Sequence, residues 1–309
     1  MAGSTPASPT AESERIGAVL PRRRARRQTL ASEAWRRFRR HRLALASAGI
    51  LSVIVLALLL GPTIWPVPIN AIDFAAQMHG PNLAHPLGTD DLGQDLFARM
   101  MYGGRISLAV GIAAMLVAVI VGVFVGAVAG TARGGVDLAL MWLCDLFLSL
   151  PQLPVLLLII YFFQASLRKL VGQQIGTFAL IVAVIGGFRW MSIARLVRAQ
   201  FFSLREKEFV EAARALARHI LPNAIGPVIV AGTIEVAYAI ILESTLSFLG
   251  LGFPPDVPSW GRILYDAKDY LDVAPHWALF AGGAIFLAVM AINYIGDGLR
   301  DALDPRRVI

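Results

Sequence analysis

Four ionisable residues interrupt the apolar runs of this 309-residue chain: Asp145, Arg189, Glu235 and Glu243. A charge at the centre of a bilayer costs about 2.5–3.5 kcal/mol on insertion scales, so such groups face protein or water. They can line a solute pathway, or they can pair with one another, with backbone or across a subunit interface. Glu235 and Glu243 stand eight residues apart, slightly over two helical turns, so they share a face and could relay protons. A second polar group is denser. Arg205, Glu206, Lys207, Glu208, Glu211, Arg214, Arg218 and His219 fall within fifteen residues, with long hydrophobic runs on both sides. Phe209, Ala212, Ala213 and Leu216 recur there at i, i+3, i+4, i+7, the spacing of an apolar helix face, and Pro222 ends the segment. A charged amphipathic helix at a membrane face is a docking surface; the plainer reading is an interfacial loop.

Other chemistry is missing. The sequence has no GxxxxGK[ST], HExxH or GxSxG motif. Gly250-Leu251-Gly252 lacks both the third glycine and the preceding strand of a dinucleotide site. The single cysteine, Cys144, lies in an apolar run and reads as a small buried side chain. No Cys/His spacing suits a metal. Asp90, Asp91 and Asp95 lack the ligand order of a calcium loop and read as helix caps and first-turn acids. The chain shows no means of hydrolysing ATP or of covalent chemistry, so any work it does must be driven by another subunit.

The elements around these groups are membrane helices. The chain is 57% hydrophobic and 16% charged, whereas soluble domains are about a quarter charged. Its apolar residues gather in blocks of roughly 20, enough to cross a bilayer. The fold class is an all-α membrane protein with six transmembrane helices. Residues 1–42 form a basic N-terminal segment with eleven arginines. Its start reads as disordered, and 32–41 as a short helix on the membrane with Trp35 and Phe38 on its apolar side. The basic region is too long for a signal peptide, and no clean cleavage site follows. Residues 43–65 are the first span, closed by Pro62, Trp65 and Pro66. Residues 66–104 form an external segment with an amphipathic helix at 91–101. Five further spans lie within 105–298. The first, 106–132, is rich in small residues that let helices approach closely. The next, 136–163, is kinked by Pro151 and Pro154 and followed by a loop with Arg168 and Lys169. The others are 175–193, 224–249 and 275–295, and 299–309 is a tail. Six spans put both termini on one side. That side, with the 205–222 loop, carries 21 basic residues, and the opposite side six. The asymmetry places both termini and the loop in the cytoplasm. The net charge of +7 is accounted for in this way, and no nucleic acid partner is expected.

Five stretches in order resemble one family: HPLGTDDLGQDLFARMMYGGRISL at 85–108, RLVRAQFFSLREKEFVEAARAL at 195–216, RHILPNAIGP at 218–227, ESTLSFLGLGFPPDVPSWG at 243–261 and GDGLRDALDPR at 296–306. Together they are similar to the C-type permease subunit of dipeptide/oligopeptide ABC importers, a group that includes nickel and glutathione systems. The resemblance implies a type I permease-like bundle in the bacterial cytoplasmic (inner) membrane. It implies a sister permease subunit, expected to form a heterodimer with this chain, two cytoplasmic ATPase subunits and an external solute-binding protein. ATP and Mg would be used by the ATPases, with no cofactor bound by this chain, which would be a transport subunit and not an enzyme. By the same resemblance, the ATPase-coupling loop comprises Glu208, Glu211, Ala212, Ala213, Ala217, Ile220, Leu221 and Pro222, and the 250–274 loop faces the binding protein.

The sequence departs from that family at the loop itself. Ala217 stands where the family has glycine, and Arg218-His219-Ile220-Leu221-Pro222 follow at once. The segment is short by about eight residues, a reach deficit of about 12 Å at 1.5 Å per residue. Impaired coupling to the ATPase is the expectation, with local remodelling of a shorter loop as its alternative. Two other functional readings stand beside the importer subunit: a regulatory or scaffold homologue deficient in coupling, and an ion-coupled secondary carrier working through Glu235 and Glu243.

Overall fold

Helix is the dominant regular structure among the residues that the computed structural model describes, 30–132, 134–205 and 221–303, with one isolated bridge between Thr89 and Asp95. The α-helices are α1 (Leu30–Phe38), α2 (Arg42–Ile64), α3 (Leu96–Thr131), α4 (Gly135–Ser149), α5 (Gln152–Val171), α6 (Gln173–Gly187), α7 (Trp190–Arg205), α8 (Leu221–Phe248), α9 (Trp260–Ala267) and α10 (Pro275–Leu303). By length and hydropathy α2, α3, α5, α8 and α10 can each cross a membrane. The pair α6 and α7, bent by 41° at its break, is the sixth candidate when taken as one span. The six-span fold class is borne out, with several boundaries moved.

α3 is the mast of the bundle. It packs against α2, α4, α6, α7 and α8. Asp95 caps its start by accepting from the backbone N–H of Ala98 at 2.7 Å. The expected separate helix at 91–101 does not exist: from Leu96 onward that segment is the first part of α3. The polar run around Arg99 and Arg105 reads as a membrane edge, yet Gly103 and Gly104 lie tight against Ser259, Leu58 and Trp260, and the helix continues through them. Lower down, Gly122, Gly126 and Gly130 form a groove that seats α7. A Cβ added at these positions would come within 2.7, 2.5 and 2.5 Å of Trp190, Ala194 and Phe201 or their neighbours. Small residues thus do here what membrane packing asks of them.

Three further boundaries are corrected. The span expected at 136–163 is two helices, α4 and α5, parted at Leu150 and Pro151, because proline has no N–H for the helix ladder. α5 runs on to Val171, so Arg168 and Lys169 sit in its last turn. The span expected at 175–193 is broken at Phe188 and Arg189. The last span continues to Leu303, because α1 and α2 pack on its end: Phe38, Ala44 and Ala302 form one buried cluster. Within α1, Phe38 is buried and Trp35 is 60% exposed, their rings stacked at 6.1 Å.

Candidate functional site

The coupling segment has two anchors, the end of α7 at Arg205 and the start of α8 at Leu221. Glu208, Glu211, Ala212, Ala213, Ala217 and Ile220 lie outside the described residues. Leu221 and Pro222 open α8, where a proline is tolerated because first-turn N–H groups have no helical partner.

The four charges within apolar runs all have partners. Arg189 sits in the break between α6 and α7 and makes a bidentate pair with Glu235 of α8, Nε to Oε2 at 2.6 Å and Nη2 to Oε1 at 2.8 Å. Its guanidinium also lies 3.9 Å over the ring of Tyr238, and the Tyr238 hydroxyl donates to Gln152 Oε1 at 3.0 Å. Gln152 is the first residue of α5, directly after the other break. Phe147 of α4 packs edge-on to Phe188 and Trp190, which flank Arg189. A planar guanidinium suits this arrangement, since it can pair in two places and stack at once.

The two acids of α4 reach α7. Arg198 pairs in a bidentate way with Asp137 at 2.5 and 2.6 Å, and Arg195 pairs with Asp145. Asp137, Arg195, Arg198, Gln152 and Tyr238 were not among the sequence candidates. The signal that could have found the first three is two acids eight residues apart facing two arginines three apart. Nothing in sequence marks Gln152 or Tyr238.

Among the described residues, Glu243 has no cation partner. It is fully buried and accepts from three hydroxyls: Ser107 of α3 at 3.1 Å, Ser247 of α8 at 2.7 Å and Ser259 at 2.7 Å. Ser259 also caps α9, accepting from the N–H of Arg262, and Ser107 accepts from the N–H of Trp260. Each of these two hydroxyls therefore donates to the carboxylate and accepts from backbone. Glu235 and Glu243 are closed separately by their own partners, which gives no support to a single proton relay along α8.

A cleft of about 470 Å³ opens where residues 69–94 meet the segment around α9; its lining includes Asp90, Arg99, Arg262, Asp266 and Tyr270. Arg99, 3% exposed, binds the carbonyls of Ile69 and Pro255 and the side chain of Gln94, and lies 3.6 Å from Asp90. Burial raises the Asp90 and Asp266 carboxyls above their ordinary range, opposed by the cations Arg99 and Arg262. Cys144 is buried among Trp190, Met191 and Ala194.

Residues 122–309 match the family model described as binding-protein-dependent transport system inner membrane component, and residues 29–86 match the N-terminal TM domain of oligopeptide transport permease C. The chain is 42% identical to the oligopeptide transport system permease protein OppC of Escherichia coli (strain K12), over 90% of this chain and 92% of that protein. It is 38% identical to the glutathione transport system permease protein GsiD of Shigella flexneri serotype 5b (strain 8401), over 89% of this chain and 90% of that protein.

Proposed function

The chain belongs to the family of binding-protein-dependent transport system inner membrane components, and from that premise we propose that it is the permease subunit through which an importer moves di- or oligopeptides, or a related small solute, across the inner membrane. It is a transport subunit, and ATP is hydrolysed in separate partner subunits. The peptide class rests on relatives that are oligopeptide and glutathione permeases over nine-tenths of the chain. The working assembly adds a sister permease, two ATPases and an external binding protein. Glu208, Glu211, Ala212, Ala213, Ala217, Ile220, Leu221 and Pro222 form the loop gripped by an ATPase.

What supports the coupling role is the position of that segment in the chain. It joins α7 to α8, and α7 belongs to the broken span. A push on the loop therefore acts on the one helix pair, among the described residues, that is bent by more than 40°. ATP binding can shift the inward–outward equilibrium only as far as it prefers one state over the other. The shortened loop makes that transmission weak.

The test is ATP hydrolysis by the complex reconstituted in lipid, with and without solute-loaded binding protein. The chain as written is compared with a version carrying the eight or so absent residues. Strong stimulation only after restoration is the expected result. Strong stimulation with the chain as written overturns the impaired-coupling reading and leaves the permease reading intact. Failure of both versions in an assembled complex overturns the choice of partners.

A further inference from the structure

Two of the expected spans are interrupted, and both interruptions meet the same turn of α8. α4 gives way to α5 at Leu150 and Pro151, and α6 to α7 at Phe188 and Arg189. The first polar residue after each break reaches α8: Gln152 bonds Tyr238, and Arg189 bonds Glu235 and stacks on the same Tyr238. Glu235 and Tyr238 lie three residues apart near the middle of α8, which runs Leu221–Phe248, so the meeting point is deep in the bilayer. Phe147, from the end of α4, fills the space between Phe188 and Trp190, so the two breaks also touch one another.

We propose that Gln152, Arg189, Glu235 and Tyr238 form a latch that fixes the α6–α7 bend and the start of α5 to α8, with Arg189 and Glu235 as its positioning pair during transport. This rests on the permease reading above and extends it to a mechanism for these residues. Three observations carry it. The pair is bidentate, so it fixes direction as well as distance. It sits where backbone is interrupted, at the position that must change angle if α7 moves while α6 stays. At the Phe188–Arg189 break, the Phe188 N–H is already shared between the carbonyls of Val184 and Ile185 at 3.2 and 3.1 Å, a geometry between α and 3₁₀ that can tighten or relax at small cost. Along the rest of its length α7 is held differently, to the glycine groove of α3 and by Arg195 and Arg198 to α4. Force entering the loop at the far ends of α7 and α8 thus meets one rigid side, α3 with α4, and one polar latch at the bend. The latch makes α7 and α8 move together and keeps the loop's displacement from being absorbed by splaying of the two helices.

The experiment reads the bend directly. Cys144, buried, is replaced (Cys144→Ala), and spin labels are placed at Ile175→Cys on α6 and Ala199→Cys on α7, both exposed. Distances between them are measured in the assembled complex, with and without nucleotide, for the parent, R189E, E235R, the swap R189E/E235R and the conservative R189K. The parent is expected to give a single narrow distance in each state. Each single reversal broadens it, and in the loop-restored version of each chain, stimulation of ATP hydrolysis by loaded binding protein falls at least tenfold without loss of assembly. The swap restores the narrow distance and most of the stimulation. R189K, which keeps charge without the two-pronged geometry, falls between. Narrow distances and undiminished stimulation in both single reversals overturn the latch, as does failure of the swap to recover either readout while the complex assembles. If no version of the complex, loop-restored included, responds to loaded binding protein, the coupling reading fails, and the distances still decide the latch.

Discussion

Glu243 shows how a single residue can be visible in sequence while its role is not. An acid in an apolar run announces itself, and the expectation was a pathway group, a proton carrier or a paired charge. Its partners turn out to be hydroxyls. Ser107 lies 136 residues away in the chain and Ser259 sixteen, and no pattern ties a serine to a distant glutamate. The same is true of Gln152 and Tyr238 at the latch: uncharged polar residues carry no anomaly for the eye to catch. Arg189, by contrast, was legible, because an arginine in a span must be paired. The hydroxyl cage makes a definite prediction. Three O–H donors point at the Glu243 carboxylate, and two of the serine oxygens already accept from backbone N–H groups. Glu243→Gln replaces one acceptor oxygen by a donor amide, so one buried hydroxyl loses its acceptor at a cost of about 1–3 kcal/mol. Ser247→Ala removes a donor and strands no cap, and is expected to cost about 0.5–1.5 kcal/mol. Thermal unfolding of the purified protein in detergent should rank Glu243→Gln below Ser247→Ala, with protease sensitivity at 250–259 rising only in the former. Equal melting points would mean that the cage holds nothing in place.

At the scale of elements, hydropathy located the spans and misjudged their continuity. Proline signals the α4–α5 break, whereas the α6–α7 break follows Gly186 and Gly187 with no proline, so the sequence predicts one helix there. α3 goes the other way: Arg99, Arg105 and two glycines look like a boundary, and the helix absorbs them because both arginines donate to carbonyls of distant segments. Small residues in 106–132 did suggest a helix inside the bundle. What the sequence could not tell is which glycine touches what. That difference is measurable. A Cβ at Gly126 would stand 2.5 Å from the carbonyl oxygen of Ala194, a backbone atom with little room to yield, whereas at Gly232 of α8 the nearest atom is the Met115 sulfur at 3.5 Å, an ordinary contact. Gly126→Ala should therefore destabilise by about 1–3 kcal/mol through overpacking. Gly232→Ala should be neutral or gain up to about 1 kcal/mol in helix propensity. Detergent melting of the two variants beside the parent checks this, and a stabilised Gly126→Ala would mean that α7 does not lie in the α3 groove.

The molecule as a whole has a direction, and charge sets it. The side proposed as cytoplasmic carries 21 basic residues, eleven of them before residue 43, against six on the other. Lysine and arginine near the ends of the spans resist translocation, so the bias predicts one orientation for all six spans together. The fold fits that assignment from within. α3 and α8 bury their outer ends against α9 through the Glu243 cage, which groups the 66–95 segment and α9 on one face. The end of α7, the start of α8 and the α1–α10 contact fall on the other. If this holds, the cleft around Arg99 faces the binding protein and the 206–220 segment faces the ATPase, and reversing the chain would exchange the two partners. Cysteine accessibility decides it. In a Cys144→Ala background, Leu83→Cys, at a fully exposed position of the outer segment, should react with a membrane-impermeant maleimide in intact spheroplasts. Ser8→Cys should react only after the membrane is opened. The reverse pattern would place the loop outside, beyond the reach of any ATP, and the importer mechanism would fall with it.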